Sequence, residues 1–168
     1  MSRDRLLRRY RIVLAAFMAG LILSGVTAFP LLWEMRVLCD WLGVGDALSP
    51  AGHEGLRYWI LTVRWGLEDM YSVHPWIAYG TDWLAFAHLV LAVFFIGPWR
   101  DPVRNVWVLH AGLISCLLVL PLAFICGPLR GIPFYWRLID CSFGVLGAIP
   151  LLYCLRLTRR LSAMTTVE

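Results

Sequence analysis

Residues 105–129 read NVWVLHAGLISCLLVLPLAFICGPL, 25 consecutive positions without a charge, bounded by Arg104 and Arg130. A helix of ~20 mainly apolar residues crosses a hydrocarbon core of ~30 Å, and lengths of ~17 to 25 are common. The run lacks the polar alternation of a barrel strand. It therefore predicts a transmembrane helix, because a helix satisfies its own backbone groups where water is absent. Three more stretches obey the same rule. Residues 12–33 hold 22 uncharged positions, residues 83–99 hold 17, and residues 141–155 hold 15, or 18 counted from Arg137 if Asp140 is tolerated at the edge.

The composition agrees. Apolar residues make up 60% of the 168 and charged residues 15%, against roughly 45 to 50% and 25% in a soluble domain. The expected fold class is an all-α integral membrane protein, a single membrane domain over residues 1–168. Four transmembrane helices near 12–33, 81–97, 105–127 and 136–155 form an antiparallel bundle.

All 15 basic residues are arginine. They are scattered between apolar runs without a basic stripe, which argues against a nucleic-acid partner. Four spans put both termini and the turn near residues 98–104 on one side. That side carries ten arginines and three acids, whereas the other carries five arginines and eight acids. The positive-inside rule places both termini in the cytoplasm. Arginine usage suggests a GC-rich bacterial genome, and with it an inner (plasma) membrane location. Val26-Thr27-Ala28 offers a small-residue signal cleavage site, but the apolar run before it exceeds the ~7 to 15 residues of a signal core, so a retained first helix is expected.

Gly97-Pro98 and Gly127-Pro128 are expected to end their apolar runs, since glycine caps a helix and proline cannot continue one. Pro121 and Pro150 lie inside spans and predict bends. Ala16, Gly20 and Ser24 in the first span, and Gly144 and Ala148 in the fourth, recur at four-residue spacing. Such faces admit close helix packing within the monomer or in a homodimer.

The outer loop, residues 34–80, is too apolar for a free linker. Residues 54–71 predict an amphipathic helix with Arg57, Arg64 and Glu68 on a narrow polar stripe, lying at the membrane interface or over the bundle. Arg36, Asp40 and Asp46 suggest a second short helix before it, broken by Gly43 and Gly45. The loop could cap the bundle or dock onto a larger membrane-protein partner.

Ionisable residues inside spans point to function by default. His88 and His110 are expected at similar depth on neighbouring helices, where two imidazoles could ligate a b-type haem or handle protons or quinone. Separate helix-to-helix hydrogen bonds are the plainer reading of each. Asp82, Arg130, Arg137 and Asp140 are expected at one boundary as a buried ionic cluster, with Arg137 and Asp140 at i,i+3 spacing. The cluster reads as structural ion pairing or as a pocket for a lipid headgroup or small ligand.

Four helices with an outward loop resemble, in architecture alone, the DsbB-like disulfide-generating membrane proteins. Those carry Cys-x-x-Cys, and none of Cys39, Cys116, Cys126, Cys141 and Cys154 forms that motif, so their activity is not assigned. Cys126 and Cys141 could pair across a short loop, although free buried thiols are commoner. No phosphate loop, His-Glu-x-x-His, Gly-x-Ser-x-Gly or cluster of intramembrane acids occurs, so no catalytic residue and no metal site are expected. Two functions follow: a non-enzymatic accessory, assembly or structural subunit docking through its outer loop, or a redox module holding haem or quinone at His88 and His110.

Overall fold

The computed structural model describes residues 2–165 and is all-helical, with no strand among the described residues. The elements are α1 (Arg3–Ala28), α2 (Leu31–Trp41), α3 (Gly55–Val73), α4 (Pro75–Phe94), α5 (Ile96–Arg100), α6 (Val106–Pro121), a π-helical turn (Leu122–Cys126), α7 (Gly127–Leu129) and α8 (Phe134–Thr165). Four stretches are long and apolar enough to cross a membrane: Arg3–Ala28, Pro75–Arg100, Val106–Leu129 and Phe134–Met164. These are the four expected runs with shifted ends. Helix α1 starts among the N-terminal arginines and α8 runs on past Arg156, because arginine is a good helix former: charge ends the apolar stretch, not the helix. Helix α1 stops at Ala28, just ahead of Pro30, since a residue preceding proline is driven out of the helical region.

The two Gly-Pro pairs behave differently from the expectation that they end helices. Each lies in the first turn of a last short helical element, α5 or α7, where a proline has no hydrogen bond to lose. After α5 the stop comes at Asp101, and after α7 it comes at Gly131. There φ is +69°, Gly131 N–H donates to Pro128 O at 3.1 Å, and Ile132 N–H donates to Gly127 O at 2.9 Å. This paired closure is a Schellman motif, which needs a left-handed residue that glycine adopts without strain. Pro121 lies at the end of α6 and is followed directly by the π-helical turn. Proline removes one ladder bond, and a local change of helical register lets the freed backbone find partners.

The chain divides into two compact units, residues 1–21 with 91–168, and residues 22–90. In the first, Leu6, Tyr10 and Leu14 of α1 project at four-residue spacing into a core with Phe95, Leu109, Leu151, Cys154 and Leu157. Phe17 and Phe95 meet edge to face at 4.9 Å. Helices α6 and α8 touch at glycines. A Cβ on Gly144 would stand 2.5 Å from the Cys116 carbonyl oxygen, and one on Gly112 would stand 2.9 Å from both Leu151 and Phe95. Gly144 thus lies on a close-packed face, as its spacing suggests. The stripe in α1 does not: Ala16, Gly20 and Ser24 are exposed, and nothing lies within 4 Å of a Cβ built on Gly20. In the second unit the close approach is made by Gly25, whose Cβ would meet the Ala85 carbonyl oxygen at 2.8 Å.

These glycines make opposite predictions. Gly144→Ala forces the α6 backbone away and should destabilise the fold by about 1–3 kcal/mol, as overpacking does. Gly20→Ala fills open space in a helix and should leave the melting temperature in detergent unchanged or raise it. Equal melting temperatures for the two variants would refute the assignment of Gly144 to the packed face.

Candidate functional site

The most elaborate polar arrangement belongs to α2, α3 and the segment between them. Helix α2 ends in a second Schellman motif at Gly43 (φ +69°), with Gly43 N–H on Asp40 O at 3.0 Å and Val44 N–H on Cys39 O at 2.9 Å. Val44 and Cys39 are both buried, the apolar contact that accompanies this cap. Beneath the segment, Arg64 of α3 is buried to 9% exposure. Its Nη1 donates to Gly45 O at 2.8 Å and its Nη2 donates to Ala47 O, while Nε is buried without a partner. A buried guanidinium is tolerable only when such acceptors replace water, and hydrogen bonds from a charged donor contribute ~1.5–3 kcal/mol each.

The polar stripe of α3 divides: Arg57 is exposed, whereas Arg64 and Glu68 take protein partners. Arg64 turns onto the backbone carbonyls of residues 45 and 47. Glu68 receives Arg36 Nε of α2 at 3.1 Å, the one ion pair among the described residues. About 100° around the helix from Arg64, α3 exposes Tyr58 and Trp65. A cavity of about 550 Å³ opens beside the pair, lined by Arg36, Asp40, Asp46, Leu48, Arg64 and Glu68. Cys39 is fully buried here, and burial pushes its thiol pKa up although the Arg64 guanidinium opposes the shift. The group is thus a neutral, shielded thiol. Trp41 and Leu48, at the two ends of the capping turn, are 84% and 94% exposed.

His88 of α4 is half-buried, with Nδ1 at 2.8 Å from Leu84 O. A carbonyl can only accept, so Nδ1 donates this bond, and Nε2 has no protein partner among the described residues. His110 of α6 follows the fully buried Leu109, and its own ring is exposed with no protein partner among the described residues. Neither compact unit contains both histidines, since His88 falls in residues 22–90 and His110 in the other. Among the described residues no group of three or more His, Cys, Asp or Glu side chains could hold a metal ion.

Arg130, Arg137 and Asp140 share the first unit, and Asp82 lies in the second. Arg130 and Asp140 line one cavity of about 230 Å³ with Cys126, Ile132 and residues of the π-helical turn. Arg137 bends over the Phe134 ring at 5.2 Å, packs its stem on Gly127, and buries Nε without a hydrogen-bond partner. None of these three arginines and acids lies within ion-pair distance of another. All five cysteines are free thiols, Cys126 exposed and Cys141 buried.

In the sequence Arg36 and Asp40 stand apart from Arg64 and Glu68, and only the fold joins them as one site. The signal was there in the i,i+4 spacing of Arg64 and Glu68 opposite Arg36 and Asp40 at the same spacing. No family model, curated protein or solved structure matches the chain.

Arg64→Ala should release residues 42–54 from α3 and uncover Cys39. In a variant whose only cysteine is Cys39, maleimide labelling at pH 7.5 should be slow with Arg64 present and at least about tenfold faster without it. Unchanged labelling would show that Arg64 does not hold the segment closed.

Proposed function

We propose that the chain is a small polytopic inner-membrane protein of non-enzymatic type, an accessory, assembly or structural subunit that docks onto a larger membrane protein through residues 34–80. In this reading the four spans form an antiparallel bundle, both termini are cytoplasmic, and α3 lies at the membrane interface on the other side. The observation that supports it most is the preorganised α2–α3 pair. Arg64 and the Arg36–Glu68 pair hold a turn that presents Trp41 and Leu48 almost fully exposed beside a charged cavity. Large apolar side chains on a fixed backbone, rimmed by charge, suit a protein partner, because little ordering entropy remains to be lost on binding.

A second reading is a membrane redox module binding b-type haem or quinone through His88 and His110. What favours it is that the rings are available: the Nδ1 bond to Leu84 O orients His88 and leaves its Nε2 without a protein partner among the described residues, and His110 has no partner there either.

One purification from native membranes distinguishes them. The docking reading predicts a stoichiometric partner that is lost on Trp41→Ala/Leu48→Ala while the melting temperature is retained, and no redox-sensitive visible bands. A Soret band in protein from haem-replete cells, with no stoichiometric partner, would overturn it in favour of the redox reading.

A further inference from the structure

The termini-bearing end of the first unit carries the chain's main excess of charge. Leu6, Tyr10, Leu157 and Leu161 share one core with Phe95 and Leu109, so the N-terminal part of α1, the region of α5 and the C-terminal part of α8 gather at one end. Ten of the 15 arginines belong to these segments. None makes an ion pair among the described residues. Of the two acids described there, Asp101 is engaged in capping, its Oδ1 accepting the Arg104 N–H at 3.0 Å.

One groove at this end has more definition than a charged rim. It is about 530 Å³ and is lined by Asp4, Leu7, Arg8, Arg11 and Ile12, which share one helical face at offsets of three, four, seven and eight residues. Arg11 is held in place: Nε donates to the Trp99 carbonyl oxygen at 3.3 Å, and the guanidinium sits 5.3 Å over the Trp99 ring. Its two Nη groups have no partner among the described residues. Arg8 is exposed and has none either. Ile12 is 59% exposed and lies toward the apolar part of α1, about 6 Å along the axis from Arg8 at the helical rise. Charge and then hydrocarbon follow one another along the groove in the order of a phospholipid.

We propose that this groove binds an anionic phospholipid, its phosphodiester bridged by Arg8 and Arg11 and an acyl chain laid along Leu7 and Ile12. A guanidinium fork matches two phosphate oxygens, and the prior fixing of Arg11 by Trp99 reduces the ordering cost of binding. Asp4 on the rim works against any headgroup, and the net balance of the surrounding arginines selects one with net negative charge over a zwitterion.

The test is lipid retention by the purified full-length chain in detergent, read by native mass spectrometry and by melting temperature, with phosphatidylglycerol, phosphatidylcholine and inorganic phosphate added separately. Phosphatidylglycerol should be retained and raise the melting temperature, and neither phosphatidylcholine nor phosphate should do so at equal concentration. Arg8→Gln/Arg11→Gln should weaken phosphatidylglycerol binding about thirtyfold, from roughly 1 kcal/mol for each arginine near an anionic surface. Because Arg11 also touches Trp99, Arg8→Gln alone serves as the variant whose fold is not at stake, with about a fivefold loss. Arg57→Gln, which removes one charge in α3, should lose nothing. Equal retention of phosphatidylcholine, an equal shift with phosphate, or an Arg8→Gln variant indistinguishable from Arg57→Gln would each overturn the proposal.

Discussion

Hydrocarbon offers no partner to a backbone N–H or C=O, and the rest of this structure follows from that constraint. Each of the four apolar stretches satisfies its backbone as a helix. Where proline breaks the ladder, the chain does not open into a loop. Pro121 leads straight into a π-helical turn and then α7, and the ending is deferred to Gly131, whose left-handed backbone lets Gly131 and Ile132 close on the last carbonyls.

Because lipid tails are as apolar as leucine, burial alone does little to hold such helices together. Close contact must come from shape, and glycine supplies it. Helix α6 meets α8 at Gly112 and Gly144, with the Cys116 carbonyl nearly touching the Gly144 backbone. The α2–α3 pair is organised by a different force. There a guanidinium replaces water for the carbonyls of residues 45 and 47, and the segment between the helices becomes a shaped surface instead of a linker.

The membrane class and the four apolar runs were legible in the sequence because length without charge is a one-dimensional signal. Helix ends were less so, since the arginines at 3–11 and 156–160 end the apolar runs without ending the helices. The small-residue pattern of α1 pointed to Ala16, Gly20 and Ser24, yet Gly25, one position further and about 100° around the helix, is the residue in contact. Spacing alone carries no information about which face a neighbour covers. The stripe Arg57, Arg64 and Glu68 was visible, but its destination was not, because the carbonyls that receive Arg64 belong to backbone and have no residue type to read. Arg137 and Asp140 share i,i+3 spacing, and still the Arg137 guanidinium lies over Phe134, since a ring face one turn back competes with the carboxylate.

The topology proposed from the arginine distribution puts residues 2 and 103 on the cytoplasmic side of a bilayer and residue 53 on the other. Single-cysteine variants at Ser2, His53 and Val103, in a chain otherwise free of cysteine, test it with a membrane-impermeant maleimide applied to intact spheroplasts. Ser2→Cys and Val103→Cys should label only after permeabilisation, and His53→Cys should label before it. Labelling of His53→Cys on the same side as Ser2→Cys would contradict the four-span topology.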